Sequence, residues 1–256
     1  MKKLKITFLG TGTSAGIPLL TCDCEVCTST DIRDKRLRSA VLLEIGEKTL
    51  VIDVGTDFRQ QMLRENVKKI DAVLITHGHK DHIGGLDELR AYNFSSGKSM
   101  EIYADEIAIR MIKEQYSYVF KMKDYPGIPK FNLKEVTDKP FTAAEKEIVP
   151  IQVLHGNLPI TAFRIGDFTY ITDASKINEI EKQKIRGTKI LVVNAIRQRA
   201  HHSHFTLQEA LDFIKEINPE RAYLTHFSHQ IGKHQDVQAI LPDNVFMSYD
   251  GLKVEL

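Results

Sequence analysis

The sequence predicts one α+β domain over residues 1–256, built from two β-rich halves whose sheets carry helices on their outer faces. Three observations point there. Short apolar runs of strand length recur in both halves, with helical patterns between them. A chain of 256 residues is long enough for one large domain with a substantial core. Several apolar runs end at a histidine or an aspartate beside a small residue, which reads as strands delivering side chains to one edge.

Taken in order, Lys5–Leu9 reads as a first strand. The segment Gly10-Thr11-Gly12-Thr13-Ser14-Ala15-Gly16 follows as a tight loop. It lacks the Lys-Ser/Thr ending of a phosphate-binding P-loop. Its backbone amides are still candidates to meet an anionic group. Residues 39–46 and 49–54 read as a hairpin turning at Gly46-Glu47-Lys48. Asp53 ends the second strand, either as an acceptor behind a ligand imidazole or as a turn residue. Residues 57–66 look helical, and Ala72–Thr76 is a buried strand. A helix over 86–94, a strand at Glu101–Ala104 and a helix over 105–120 come next. Residues 116–131 hold Tyr116, Tyr118, Phe120, Tyr125 and Phe131, punctuated by Pro126 and Pro129. This segment reads as a lid, an oligomer contact or a loop packed on its own domain.

The second half repeats the scheme. Ile148–Leu154 ends at His155-Gly156. Phe163–Ile165 and Phe168–Thr172 form a hairpin over Gly166-Asp167 and end at Asp173-Ala174. Lys189–Ala195 is a strand. Residues 206–217 form a helix with the capping box Thr206-Leu207-Gln208-Glu209. Ala222–Thr225 ends at His226-Phe227-Ser228-His229. Val245–Tyr249 and Leu252–Val254 close the sheet.

Composition narrows the function classes. Hydrophobic residues are 42% and charged residues 27%, an ordinary globular balance. Lys plus Arg is 35 against 34 Asp plus Glu, so no basic field argues for nucleic acid. No apolar run is long enough for a membrane span, and the basic start Met1-Lys2-Lys3 leads into a run too short for a signal peptide. The expectation is a cytoplasmic protein with no membrane partner. All three cysteines lie between Cys22 and Cys27. An odd, clustered set in such a chain suggests metal rather than a disulfide framework. A structural zinc takes four ligands, so Cys22, Cys24 and Cys27 would need one more from elsewhere in the chain.

The chemistry concentrates in His77-Gly78-His79-Lys80-Asp81-His82, directly after the strand Ala72–Thr76. Imidazole with carboxylate suits zinc, manganese or iron. Histidines two apart on an extended segment face the same way, so His77 and His79 can grip one ion. Asp81 and His82, past the turn, can grip a second. His155, Asp173 and His226 extend the set of strand-end ligands.

His-x-His-x-Asp-His, followed by His155, Asp173 and His226 at later strand ends, resembles the metallo-β-lactamase-fold hydrolases over essentially the whole chain. The resemblance implies a four-layer αββα sandwich of two mixed sheets, with the site at one edge. It implies His77, His79 and His155 on a first divalent ion, Asp81, His82 and His226 on a second, and Asp173 bridging. Two such ions, zinc or manganese and roughly 3.5–4 Å apart, activate water and orient a scissile group.

A narrower resemblance is to the PhnP group of cyclic phosphodiesterases. It rests on Cys22-x-Cys24-x-x-Cys27 together with Thr225-His226-x-x-His229-Gln230. It implies that His229 completes a Cys₃His structural zinc, and that the protein is a homodimer. It also implies that His204 in His201-His202-Ser203-His204 assists leaving-group departure. His201 and His202 read as exposed loop residues, as does lone His234 on the surface. Arg197 and Arg199 are candidates to pair a phosphate or are solvated charges.

The expected function is a metal-dependent phosphodiesterase acting on a small cyclic or nucleotide-like phosphodiester, with Asp81 and His204 as catalytic residues. Alternatives are a tRNA 3′-processing-like nuclease, a thioesterase or lactonase of the same fold, or a non-catalytic metal-binding protein. A processing nuclease would carry a basic, Gly-rich arm that this sequence lacks. A degenerate binding protein would have lost a ligand, and none is lost.

Overall fold

A computed structural model describes residues 3–122 and 126–256. Fourteen strands run in the order β1 (Leu4–Gly10), β2 (Ala40–Ile45), β3 (Lys48–Ile52), β4 (Ala72–Leu74), β5 (Met100–Ala104), β6 (Phe131–Glu135), β7 (Phe141–Ala143), β8 (Lys146–His155), β9 (Leu158–Ile165), β10 (Phe168–Tyr170), β11 (Ile190–Asn194), β12 (Arg221–Thr225), β13 (Val245–Met247) and β14 (Lys253–Glu255). The helices are α1 (Phe58–Arg64), α2 (Lys80–Ile83), α3 (Arg90–Ser96), α4 (Glu106–Gln115), α5 (Ser117–Lys121), α6 (Glu179–Ile185), α7 (Leu207–Ile217) and α8 (His234–Gln238).

The strands form two seven-stranded sheets, ordered β14-β1-β2-β3-β4-β5-β6 and β13-β12-β11-β10-β9-β8-β7. Each sheet is mixed. The first is antiparallel from β14 to β3 and parallel from β3 to β6. The second is parallel from β13 to β10 and antiparallel from β10 to β7.

Period-two patterning sorts each strand's side chains to two faces. Val41, Leu43, Ile45, Leu50 and Ile52 meet Phe163, Phe168, Tyr170, Ile190 and Val192 in one buried cluster between the sheets. Their neighbours Ala40, Leu42 and Val51 face outward, onto Phe58 and Met62 of α1 and Ile112 of α4. In the second sheet Leu191 and Val193 face outward onto Leu207, Phe213 and Ile214 of α7 and Ile185 of α6. This is the expected four-layer αββα sandwich of the metallo-β-lactamase fold. Strands buried on both faces explain why their sequences are nearly continuous apolar runs.

Helix α7 shows how local signals set an element. The Thr206 hydroxyl accepts from Glu209 N–H at 3.2 Å, and Glu209 Oε2 accepts from Thr206 N–H at 2.8 Å. Leu207, Ala210, Phe213, Ile214 and Ile217 then share the buried face.

Several readings are corrected. Leu252–Val254 does not join Val245–Tyr249 in one sheet. β13 edges the second sheet, while β14 crosses to pair with β1. β6, β7 and α6 were not legible, because β6 and α6 mix charged residues into their patterns, β6 is only partly buried, and β7 is three residues long. Of the aromatic segment, Tyr116, Tyr118, Phe120 and Phe131 pack onto the outer core of the first sheet, the loop-on-its-own-domain reading. Tyr125 lies outside the described residues. Among those described, no helix is long and apolar enough to cross a membrane.

Removing the cap should be measurable. Thr206→Ala is expected to cost about 1 kcal/mol, read as a lower urea midpoint at unchanged slope. An unchanged midpoint would mean that tertiary packing alone holds the helix start.

Candidate metal centre

The sheet directions gather the polar strand ends. β3 and β4 run parallel, and so do β10, β11 and β12. β8 is two antiparallel steps from β10, so it points the same way. The residues that follow these strands therefore emerge at one edge. A bond from Thr161 N–H to Thr76 O at 2.9 Å joins the second sheet to the segment carrying His77.

Asp53, Asp173 and His226 all have left-handed backbones, with φ of 66°, 57° and 60°. That conformation is unfavourable for residues other than glycine. It turns each side chain out of its strand's alternation and toward the centre. Gly55 serves the same edge differently. A Cβ there would lie 2.0 Å from Asp81 O, so only glycine lets α2 sit against the end of β3.

His77 Nε2 and His79 Nδ1 lie 2.9 Å apart, and His155 sits beside both rings. His155 Nδ1 bonds Ser203 O at 2.8 Å, which leaves Nε2 to face the pair. A second group is Asp81, His82 and His226. His82 Nδ1–H donates to Asp53 Oδ2 at 2.7 Å. Asp53 is fully buried and accepts also from Thr76 N–H and Oγ1–H. It thus holds the His82 ring from behind.

Asp173 lies between the groups. Its Oδ2 is 3.3 Å from His82 Nε2, and its Oδ1 is 3.0 Å from both His226 Nε2 and His204 Nε2. The sequence-predicted residues His77, His79, Asp81, His82, His155, Asp173, His204 and His226 are all brought together.

The donor set fits divalent metal. His82 Nε2 is fully buried, has no hydrogen-bond partner, and lies 3.2 Å from Asp81 Oδ2. Asp81, His82 and His226 each offer one donor atom within 4.8 Å of the others. An orphaned imidazole nitrogen among carboxylates is what a cation would satisfy. Electrostatics show the crowding of charge: burial opposes protonation of His82, yet the carboxylates of Asp81, Asp53 and Asp173 push it well above its usual value. Burial opposes ionisation of Asp173, yet the imidazoles of His226 and His82 hold it well below the usual carboxylate range. Burial pushes His77 well below its usual value, which keeps its imidazole neutral. Burial also pushes His204 down to about 4, against its bond to Asp173.

The cysteine loop forms a separate group. Sγ of Cys22, Cys24 and Cys27 lie 3.2, 3.4 and 3.6 Å from His229 Nδ1. Tetrahedral zinc with S at about 2.3 Å and N at about 2.0 Å sets S to N separations of roughly 3.5 Å. Burial pushes the Cys27 thiol up to about 11, and the Leu19 N–H that donates to its Sγ at 3.3 Å only partly opposes this. His229 thus stands where a fourth ligand is needed.

Other readings change. His234 is not a surface residue but buried, with Nδ1 3.3 Å from Arg36 Nη2. His201 is half-buried and touches His204, while His202 is exposed. Arg197 donates to Gln230 Oε1, Ala200 O and Arg199 O, so it ties down its own loop. In the glycine-rich loop, the amides of Gly12, Thr13 and Gly16 donate to protein carbonyls, so they are not free for an anion. Thr76 and the Ser203 carbonyl were missed. Thr76 is adjacent to the motif, but its role depends on Asp53 from a neighbouring strand.

Residues 48–227 match the beta-lactamase superfamily domain. The chain therefore belongs to that superfamily, among its metallo-β-lactamase-fold hydrolases, a fold that implies divalent metal ions. More particularly, it is similar to a diphosphatase of the PhnP family, with 35% identity, a TM-score of 0.93, and coverage of 99% of this chain and 97% of that one. It is 39% identical over 209 residues to the Anti-Pycsar protein Apyc1 of Paenibacillus sp. (strain J14), covering 76% of this chain and 84% of that protein. It is 38% identical over 254 residues to an octanoyltransferase of Porphyromonas gingivalis, covering 98% of this chain. The chain spans only 51% of that relative's length.

Asp53→Asn should leave the His82 ring poorly held. The expected result is about a 10–100-fold loss of metal affinity, measured by competition with a chromophoric chelator. Wild-type affinity would remove Asp53 from this role.

Proposed function

We propose that the chain is a metal-dependent phosphodiesterase with a dinuclear centre, acting on small cyclic or nucleotide-like phosphodiesters. The observation that carries this reading is the placement of Asp173. One carboxylate reaches imidazoles of the second ligand group and also holds His204, an imidazole that neither group requires. Similarity to a PhnP-family diphosphatase supports it. Zinc or manganese suits the active-site donors, and zinc suits the three thiols with His229.

In this reading His77, His79 and His155 would hold one ion and Asp81, His82 and His226 the other, with Asp173 between the two groups. When bound, such ions lower the pKa of water towards about 7 and polarise the phosphoryl group. The chain's residues orient and protonate. As the new P–O bond forms, the bond to the leaving oxygen breaks with its electron pair. That oxygen takes a proton from His204 Nε2. The anionic diester against the ring favours its protonated form, offsetting the effect of burial. Asp53 and Ser203 O keep His82 and His155 in their ring orientations throughout.

Acyl chemistry is the second reading, suggested by the octanoyltransferase relative. That name describes a protein of which this chain matches about half.

A panel of phosphodiesters, cyclic phosphates, a thioester and a lactone, assayed on zinc- and manganese-loaded protein, separates the two. Hydrolysis of bis-nitrophenyl phosphate and a cyclic phosphate is expected, and its loss in His79→Ala and Asp173→Ala. Thioester or lactone cleavage without phosphodiester cleavage would overturn the proposal. His204→Ala should slow a diester with a poor leaving group by about 10²–10⁴-fold, far more than an activated nitrophenyl ester.

A further inference from the structure

His204 packs against two other imidazoles. It stacks on His226 at 5.1 Å with rings 16° from parallel, and meets His155 edge-on at 4.5 Å. Its Nε2 is on Asp173. Its far nitrogen, Nδ1, lies 3.1 Å from His201 Nδ1 and 3.1 Å from Ser203 Oγ. An imidazole with both nitrogens engaged keeps one ring orientation. With only one engaged, it can swing or flip.

We infer that His201 is a positioning residue for His204. It holds Nδ1, so that Nε2 remains on Asp173 and faces the reacting oxygen. This rests on the proposed role of His204 in leaving-group departure.

The surroundings of His201 fit that duty. The two imidazoles cross at 69° with centroids 4.8 Å apart, so the contact runs nitrogen to nitrogen rather than face to face. Ser203 N–H points at His201 Nδ1 at 3.3 Å, which anchors that ring to the backbone beside His204. His202 stacks on the outer face of His201 at 4.6 Å. Behind the loop, Arg197 clamps Ala200 O at 2.7 Å and Gln230 Oε1 at 3.0 Å. The loop is therefore tied to the segment just after His226. Neither His201 nor His202 belongs to a group of converging metal donors among the described residues. Holding His204 accounts for His201 without assigning it an ion.

The test compares His201→Ala, His201→Asn and His204→Ala, each metal-loaded, on a nitrophenyl diester and an alkyl diester. Metal content and thermal midpoint are measured for each. For His201→Ala the loss on the alkyl diester should exceed the loss on the nitrophenyl diester by about tenfold or more. Metal content should stay at the wild-type value. His201→Asn keeps a hydrogen-bonding group and should recover part of the loss. Equal losses on the two substrates, or no loss, would overturn the role of His201 provided His204→Ala still discriminates. If His204→Ala itself fails to discriminate, the leaving-group reading falls and this inference falls with it.

Discussion

One carboxylate joins the parts of this site. Asp173 follows β10 in a left-handed conformation, is 2% exposed, and has imidazoles from three separate segments within 3.3 Å. His82 comes from the first sheet's edge, His226 from the end of β12, and His204 from the loop before α7. A charge this buried is costly unless neighbouring groups compensate it. The sandwich supplies that compensation, because both sheets bring their strand ends to the same edge. The unfavourable backbones at Asp53, Asp173 and His226 are held by the packed strands beneath them, a pattern that recurs where structure is set for function.

The N-terminal loop is bound into the same edge. Phe227 N–H bonds Thr11 O at 2.9 Å, and Thr13 N–H bonds Phe227 O at 3.0 Å. The Arg36 guanidinium lies 4.4 Å over the Phe227 ring and donates to Thr11 Oγ1 and Ser248 O. His226 and His229 thus flank a residue that the N-terminal segment grips on several sides. The cysteine cluster sits on that segment and converges on His229. In the proposed reading, a zinc held there would tie this segment to the strand end that carries His226.

Much of this was legible in the sequence because the signals were local. His77 to His82 lie within one short motif, the capping box announces α7, and alternating apolar runs mark the central strands. The strand-end positions of His155, Asp173 and His226 followed from the same runs. Readings failed where identity depends on distant partners. His234 looks like a surface residue until Arg36 packs against it. The glycine-rich loop looks open until its amides meet Leu37 and Phe227. His201 sits in a polar run that says nothing of its 3.1 Å contact with His204. β14 could not be placed in the first sheet from its own three residues, because pairing register is set by the neighbour.

In the proposed centre Asp173 lies between two ions. Anomalous diffraction at the zinc edge from zinc-loaded crystals tests it most directly. Two active-site peaks roughly 3.5–4 Å apart with Asp173 between them are expected, and a third peak among Cys22, Cys24, Cys27 and His229. A single peak at His77, His79 and His155, with Asp173 turned away from it under saturating zinc, would contradict it.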